Sequence, residues 1–160
     1  YFALLKLMSD KKNIKVISTN RKASFQYFLL EKFESGIQLL GSEVKSIKEG
    51  NINIKEAYVK FNKNELYLVG MHISNYSHQG YSGHDPVRER KLLLHKSEII
   101  KIIKNVSLKG TTVIPVKAYI KNGLIKIQIS IAKGKKMWDK RETKKEKDIS
   151  RNIQKYKKGN

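Results

Sequence analysis

Residues 116–131 set the tightest limit on what this chain can fold into. Val116, Ala118 and Ile120 alternate with Lys117, Tyr119 and Lys121. After Asn122-Gly123 the alternation resumes, with Ile125, Ile127, Ile129 and Ile131 separated by Lys126, Gln128 and Ser130. Side chains of a strand point to opposite faces with a period of two, so the pattern gives each arm one buried face. Asn-Gly supplies the two positive-φ positions of a type I′ turn. The segment therefore predicts an antiparallel hairpin whose outward face carries Lys and Tyr. That face serves equally as a solvated surface or as one that meets phosphates and bases.

A second hairpin is expected from Tyr58-Val59-Lys60-Phe61 and Glu65-Leu66-Tyr67-Leu68-Val69, joined by a polar turn at Asn62-Lys63-Asn64. Helices are fewer. Asn20 can cap a short helix running from Arg21 to about Phe28. Ser42 can cap another over residues 43–48, closed by Gly50. Residues 96–104 place Ile99, Ile102 and Ile103 on one face, and Gly110 follows a basic last turn. There is no internal repeat and no linker rich in Pro, Gly and Ser. Strands with helices between them predict a mainly β fold, an OB-like antiparallel barrel flanked by short helices. Such barrels are common RNA-binding scaffolds.

The chain changes character near its end. Residues 133–160 hold twelve Lys and Arg against four Asp and Glu, eight of the twenty net positive charges. Ile149, Ile153 and Tyr156 fall at i, i+4 and i+7, a narrow apolar stripe if the segment is helical. So little apolar surface does not offset the entropy of ordering the chain. The expected organisation is an extension at 1–13, a barrel at 14–132 and a basic tail at 133–160. The tail is expected to be mobile when free and helical on a polyanionic surface. Residues 1–7 precede Met8-Ser9-Asp10-Lys11-Lys12, which reads as a more natural beginning, so they are expected not to be native.

A net charge of +20 repels itself in a compact chain and points to a polyanionic partner. Without cysteine, neither a disulfide framework nor a thiolate metal site is possible. No run approaches the roughly 20 apolar residues a spanning helix needs, so a soluble chain is expected. A place in the cytoplasm is expected too, with no membrane partner. A peripheral membrane role is the weakest reading, because the tail's apolar stripe is narrow and interrupted by charges. Enzymatic signals are poor. Gly80-Tyr81-Ser82-Gly83 matches no phosphate-cradling loop. The histidines His72, His78, His84 and His95 form no paired metal motif, so neither a metal nor a cofactor is expected. An RNA-modifying or RNA-cleaving centre built from His72, His84 and Asp85 stays open as an alternative. So does a basic ribosomal protein or assembly factor that binds ribosomal RNA directly.

Binding signals are better. Asn20-Arg21-Lys22 puts two cations at a helix start, where free N–H groups also favour phosphate. Arg88-Glu89-Arg90-Lys91 follows Asp85-Pro86 at a turn into Leu92-Leu93-Leu94-His95. Gly134-Lys135-Lys136-Met137-Trp138-Asp139-Lys140-Arg141 sets the only tryptophan in a basic run, a setting that suits stacking on a base as well as burial.

In this order, these clusters resemble the SsrA-binding protein (small protein B) family. The matching segments are Asn20-Arg21-Lys22-Ala23, Phe33-Glu34-Ser35-Gly36-Ile37, Gly41-Ser42-Glu43-Val44-Lys45-Ser46 and Met71-His72-Ile73. They continue with His84-Asp85-Pro86 and Arg90-Lys91-Leu92-Leu93-Leu94-His95. The last is Ala132-Lys133-Gly134-Lys135-Lys136 running into Asp139-Lys140-Arg141-Glu142-Thr143. The resemblance spans about residues 16–151.

It implies a barrel that binds the tRNA-like domain of transfer-messenger RNA, delivered to stalled ribosomes with elongation factor Tu. The tail would enter the decoding centre of the small subunit and the empty messenger channel, and the protein itself would catalyse nothing. Carried over residue by residue, RNA-binding positions are Asn20, Arg21, Lys22, Glu34, Leu93 and His95, with Lys45, Arg90 and Lys91 in the same matched segments. The tail positions are Lys135, Lys136, Trp138, Asp139, Lys140 and Arg141, with Trp138 in the stacking place. Glu34 would accept from base amino groups or fix a neighbouring cation.

Overall fold

The Asn122-Gly123 turn forms at φ +50° and +77°, the left-handed backbone that a type I′ turn requires. It joins β8 (Thr111–Lys121) to β9 (Leu124–Gly134) in a ladder closed by the Lys121–Leu124 pair. The computed structural model describes residues 13–78, 83–108 and 110–158. The extension up to residue 12, and the Gly80-Tyr81-Ser82 part of the glycine loop, lie outside the described residues.

Ahead of that hairpin come β1 (Ile14–Thr19), α1 (Arg21–Gln26), β2 (Tyr27–Ile37) and α2 (Gly41–Lys48). Then follow β3 (Ile52–Asn53), β4 (Tyr58–Asn62), β5 (Glu65–Val69) and β6 (His72–Ile73). The remaining elements are β7 (Arg90–Leu93), α3 (Lys96–Val106) and, after β9, α4 (Met137–Lys158). Seven strands make one antiparallel sheet in the order β1-β8-β9-β2-β7-β5-β4, and β3 pairs with β6 apart from it. The sheet curls until β4 lies against β8, enclosing the core as an OB-like barrel. Ile127, Ile129 and Ile131 all point into it, beside Phe33, Leu66, Leu68 and Leu92.

The alternation breaks once in β8. The register shifts between Pro115 and Lys117, making Val116 an extra, bulged residue. Proline has no N–H to give a ladder, and a bulge is where a paired strand tolerates it. Outside the barrel, Ile114 and Ala132 form a second small core with Ala23, Tyr27 and Leu29, so α1 covers this end of the outward face.

Local chemistry explains the helix ends. Asn20 Oδ1 accepts from the Ala23 N–H at 3.2 Å, the expected cap, while its amide donates to Pro115 O at 3.2 Å. The helix stops at Gln26 rather than Phe28 because Tyr27 and Phe28 pair with Gly134 and Lys133 in the β2–β9 ladder. Ser42 does not cap α2. Leu40 stands at that end, and its N–H donates to the Glu43 carboxylate at 2.8 Å. Gly50 closes the turn beyond α2 at φ +88°. In α3, Ile99, Ile102 and Val106 reach the core, and Ile103 stays at the edge because Val106 takes the next inward place. The β4–β5 turn is the pair Lys63-Asn64, both at positive φ, since Asn62 already pairs with Glu65.

The basic segment is helical. Asp139 Oδ2 accepts from the Lys136 N–H at 3.0 Å, satisfying one of the free donors at the start of α4. Lys135 Nζ donates to Ser24 O at 3.1 Å and to Thr143 Oγ1 at 3.0 Å, tying this start to α1. The Lys147 ammonium sits 5.6 Å from the Phe25 ring. Farther along, Ile149 and Ile153 remain half or more exposed, as a stripe of this width predicts.

Candidate nucleic-acid interface

β7 divides the basic cluster at residues 88–91 between two environments. Its alternation turns Arg90 and Leu92 inward and Lys91 and Leu93 outward. Arg90 is wholly buried. Its Nε donates to Glu43 Oε1 at 2.8 Å, and its two terminal nitrogens donate to the carbonyls of Met71, Arg88 and Pro86 at 2.9, 2.9 and 3.1 Å. Glu43, equally buried, also accepts from Arg88 Nε at 2.8 Å and Arg88 Nη2 at 2.6 Å. Burial alone would raise the Glu43 pKa. Bonds from Arg88, the Leu40 N–H and Arg90 outweigh it and hold the carboxyl below its ordinary range. Arg90, expected among the RNA-binding residues, is therefore a core residue that fastens the β6–β7 connection to α2.

His84 belongs to the same structural knot. Its Nδ1 lies 3.0 Å from Ser42 Oγ and its Nε2 3.0 Å from Ile73 O, so both ring nitrogens are engaged. Asp85 Oδ1 accepts from the Val87 N–H at 3.0 Å and closes a turn. His72 lies exposed on β6. The described residues contain no group of three or more His, Asp or Glu placed to hold a metal ion. No helix among them is long and apolar enough to cross a membrane.

The opposite face of the same strands forms an open groove of about 500 Å³, lined by Glu34, Gly36, Leu93, Leu94, His95, Glu98 and Lys126. It brings together Glu34 from β2 with Leu93 and His95 from the end of β7 and the start of α3. Gly36 is the hinge of the arrangement: on β2 it pairs with Leu93 on one side and Lys126 on the other. A Cβ there would lie 3.3 Å from Leu93 Cβ, so the missing side chain lets Leu93 rest in the groove while still half exposed. The His95 N–H donates to Glu98 Oε2 at 3.1 Å where α3 begins, and the residue itself is exposed.

Glu34 stands at the groove wall with two partners from β8. Its Oε2 accepts from the Tyr119 hydroxyl, and Lys121 Nζ is 3.3 Å from Oε1. The Tyr119 bond, followed by Lys121, outweighs partial burial and lowers the Glu34 pKa. Burial and the neighbouring carboxylate raise that of Tyr119. Tyr119 is only 4% exposed, so the outward face of the hairpin does not offer its ring for stacking.

The other expected residues lie around these two centres. Asn20 is buried as a cap, whereas Arg21 and Lys22 are exposed, Lys22 lying 3.1 Å from Glu56. Lys45 is exposed on α2, 5.5 Å from the Tyr76 ring. Lys91 Nζ is bound to the Glu65 carboxylate. At the tail, Lys135 sits 4.9 Å from the Phe28 ring, and Trp138 is 59% exposed. Lys136 and Arg141 are exposed, and Lys140 is partly buried. Sequence reasoning missed Lys126 and Gly36 as parts of the groove, and Tyr119 and Lys121 as the partners of Glu34 behind it. The outward set of the 116–131 hairpin marked their face, but nothing local marked Glu34 as their partner.

Comparison with known proteins gives the same frame. The family model described as SmpB protein matches residues 17–159. The SsrA-binding protein of Caldanaerobacter subterraneus subsp. tengcongensis is 46% identical over 149 residues, covering 93% of this chain and 94% of that one. The SsrA-binding protein of Dehalococcoides mccartyi is 48% identical over 138 residues, covering 86% and 80%. A chain from a solved tmRNA-SmpB structure, which follows that pair to the centre of the bacterial ribosome, matches with a TM-score of 0.64 at 40% identity. The match covers 75% of this chain and 85% of that one. With its barrel, its basic final helix and a family match that runs nearly end to end, this chain belongs to the SmpB protein family.

Proposed function

We propose that this protein binds transfer-messenger RNA through the barrel and delivers it to stalled ribosomes for trans-translation, acting in the cytoplasm without catalysing a reaction. The observation that carries the reading is the convergence of Glu34, Leu93 and His95 on one open groove beside Lys126, in a chain of net charge +20. Cations supply affinity by displacing counterions from phosphate, while an acceptor and an apolar surface orient unpaired bases. Arg21, Lys22, Lys45 and Lys91 extend the cationic surface around the tRNA-like domain. Asn20 and Arg90 act from inside, holding the backbone that displays their neighbours.

The tail serves the ribosome rather than the barrel. Lys135 and Asp139 set the start of α4, and Trp138, Lys136, Lys140 and Arg141 meet the decoding centre. The rest of the helix occupies the empty messenger channel. Free of the ribosome, the distal half of α4 is mobile, because its narrow apolar stripe buries little. Elongation factor Tu reaches the protein through the RNA complex.

The test ends the chain after Lys136, ahead of α4. Affinity for the tRNA-like domain of transfer-messenger RNA is expected to stay within about threefold of wild type and to fall steeply with salt. Peptide tagging on stalled ribosomes is expected to be abolished. Equal loss of both activities overturns the division of labour. Recovery of only ribosomal RNA with the full-length protein replaces the reading with a ribosome-assembly role.

A further inference from the structure

We propose that Tyr119 is the positioning residue of the RNA groove: its buried hydroxyl fixes the Glu34 carboxylate at the groove wall and leaves Oε1 to accept from the RNA. The inference rests on the RNA-binding reading of the groove and extends it to a residue outside the groove lining. Tyr119 sits on β8 and Glu34 on β2, with β9 between them. Directly across the ladders, Tyr119 pairs with Lys126 and Glu34 with Gln128, so the hydroxyl reaches diagonally over β9 to its acceptor. Tyr119 is 4% exposed, and the Lys117 ammonium lies 5.6 Å from its ring.

A carboxylate beside Lys121 and Lys126 is useful to an RNA site only if it keeps its charge, its direction and a free lone pair. Lysine alone gives none of these securely. Lys121 lies 3.3 and 3.4 Å from the two Glu34 oxygens, long contacts from a flexible, partly exposed chain. A tyrosine hydroxyl donates one directed hydrogen bond and adds no positive charge, so the carboxylate stays an anion aimed by a rigid ring. A carboxylate can accept about four hydrogen bonds. Tyr119 takes one place on Oε2, and Oε1 has room for an amino group of a base or a ribose hydroxyl. A phosphate would be repelled there, which separates this part of the groove from the lysines around it.

The experiment is a double-mutant cycle of Tyr119→Phe and Glu34→Ala, read as Kd for the tRNA-like domain at fixed salt. Tyr119→Phe is expected to weaken binding roughly tenfold, the scale of one hydrogen bond to a charged group. In the Glu34→Ala background it is expected to add nothing. The salt dependence should not change, because no phosphate contact is lost.

A second readout needs no RNA: the Glu34 carboxyl carbon is titrated by NMR in the wild type and in Tyr119→Phe. The titratable groups around it are Lys117 and Lys121 on β8, Lys126 on β9, and His95 and Glu98 across the groove. The variant's Glu34 should titrate closer to an ordinary glutamate. Independent, multiplying losses in the cycle, or an unmoved titration, overturn the proposal. Should the wild type fail to bind the RNA at all, the RNA reading fails, and the titration still decides whether Tyr119 holds Glu34.

Discussion

Glu43 and Glu34 are both glutamates surrounded by cations, one on each side of the same sheet. Glu43 is wholly buried and takes four hydrogen bonds, two from Arg88, one from Arg90 and one from the Leu40 N–H. Every partner is protein, and nothing is left to offer a ligand. Glu34 keeps 40% of its side chain exposed and is held from one side by a hydroxyl. The difference shows that depth, not composition, decides whether a charge cluster is a fastening or a site. Arginine's fixed fork suits the dry knot, where each N–H needs its own acceptor, and flexible lysines suit the wet groove.

The contrast is open to direct attack. Arg90→Met should give the largest effect, a loss of about 3–5 kcal/mol, because it leaves Glu43 buried without its Arg90 partner and takes a donor from three carbonyls. Chemical denaturation of the variant measures it, and a loss below about 1 kcal/mol would break the comparison.

Acid provides the next, smaller test. The Glu43 pKa is lowered in the folded state. Its stabilisation is therefore complete above the ordinary carboxylate value of about 4.3 and drains away as the pH falls through the lower folded value. Circular dichroism from pH 5 downward should show stability falling in that acidic window, with little change above it.

Glu34→Gln sharpens the comparison from the other side. A half-exposed residue at a groove wall should change stability by no more than about 0.5 kcal/mol, and because its own pKa is lowered too it should remove only a small part of the acid sensitivity. Its effect belongs in RNA affinity.

Much of the barrel was legible because its signals are local. Ile127, Ile129 and Ile131 lie where their alternation put them, and Asn122-Gly123 turns as its backbone preference requires. The parity of β7 was not legible. In Arg90-Lys91-Leu92-Leu93 two cations precede two leucines, so either register buries one of each. Only the buried carboxylate of Glu43, brought from α2, selects Arg90. The cap of α2 was misplaced for a related reason: Ser42 has the right chemistry, but its hydroxyl is drawn to His84 and Glu43 does the capping. The groove is the extreme case. Tyr119 and Glu34 are 85 residues apart, and no period or propensity links them. The resemblance to a known family singled out Glu34, Leu93 and His95; the fold brings all three to one groove.

The way α4 is attached has a mechanical consequence. It continues from β9, a central strand with β8 on one side and β2 on the other, laddered as far as Lys133 and Gly134. A pull on the helix along that strand loads both ladders in shear, so many hydrogen bonds share the force at once. A tail hung from the edge strand β1 or β4 could peel its strand away bond by bond. The final helix is thus mounted where the barrel is hardest to tear, and tension that reaches its start is shared by the middle of the sheet rather than by one edge.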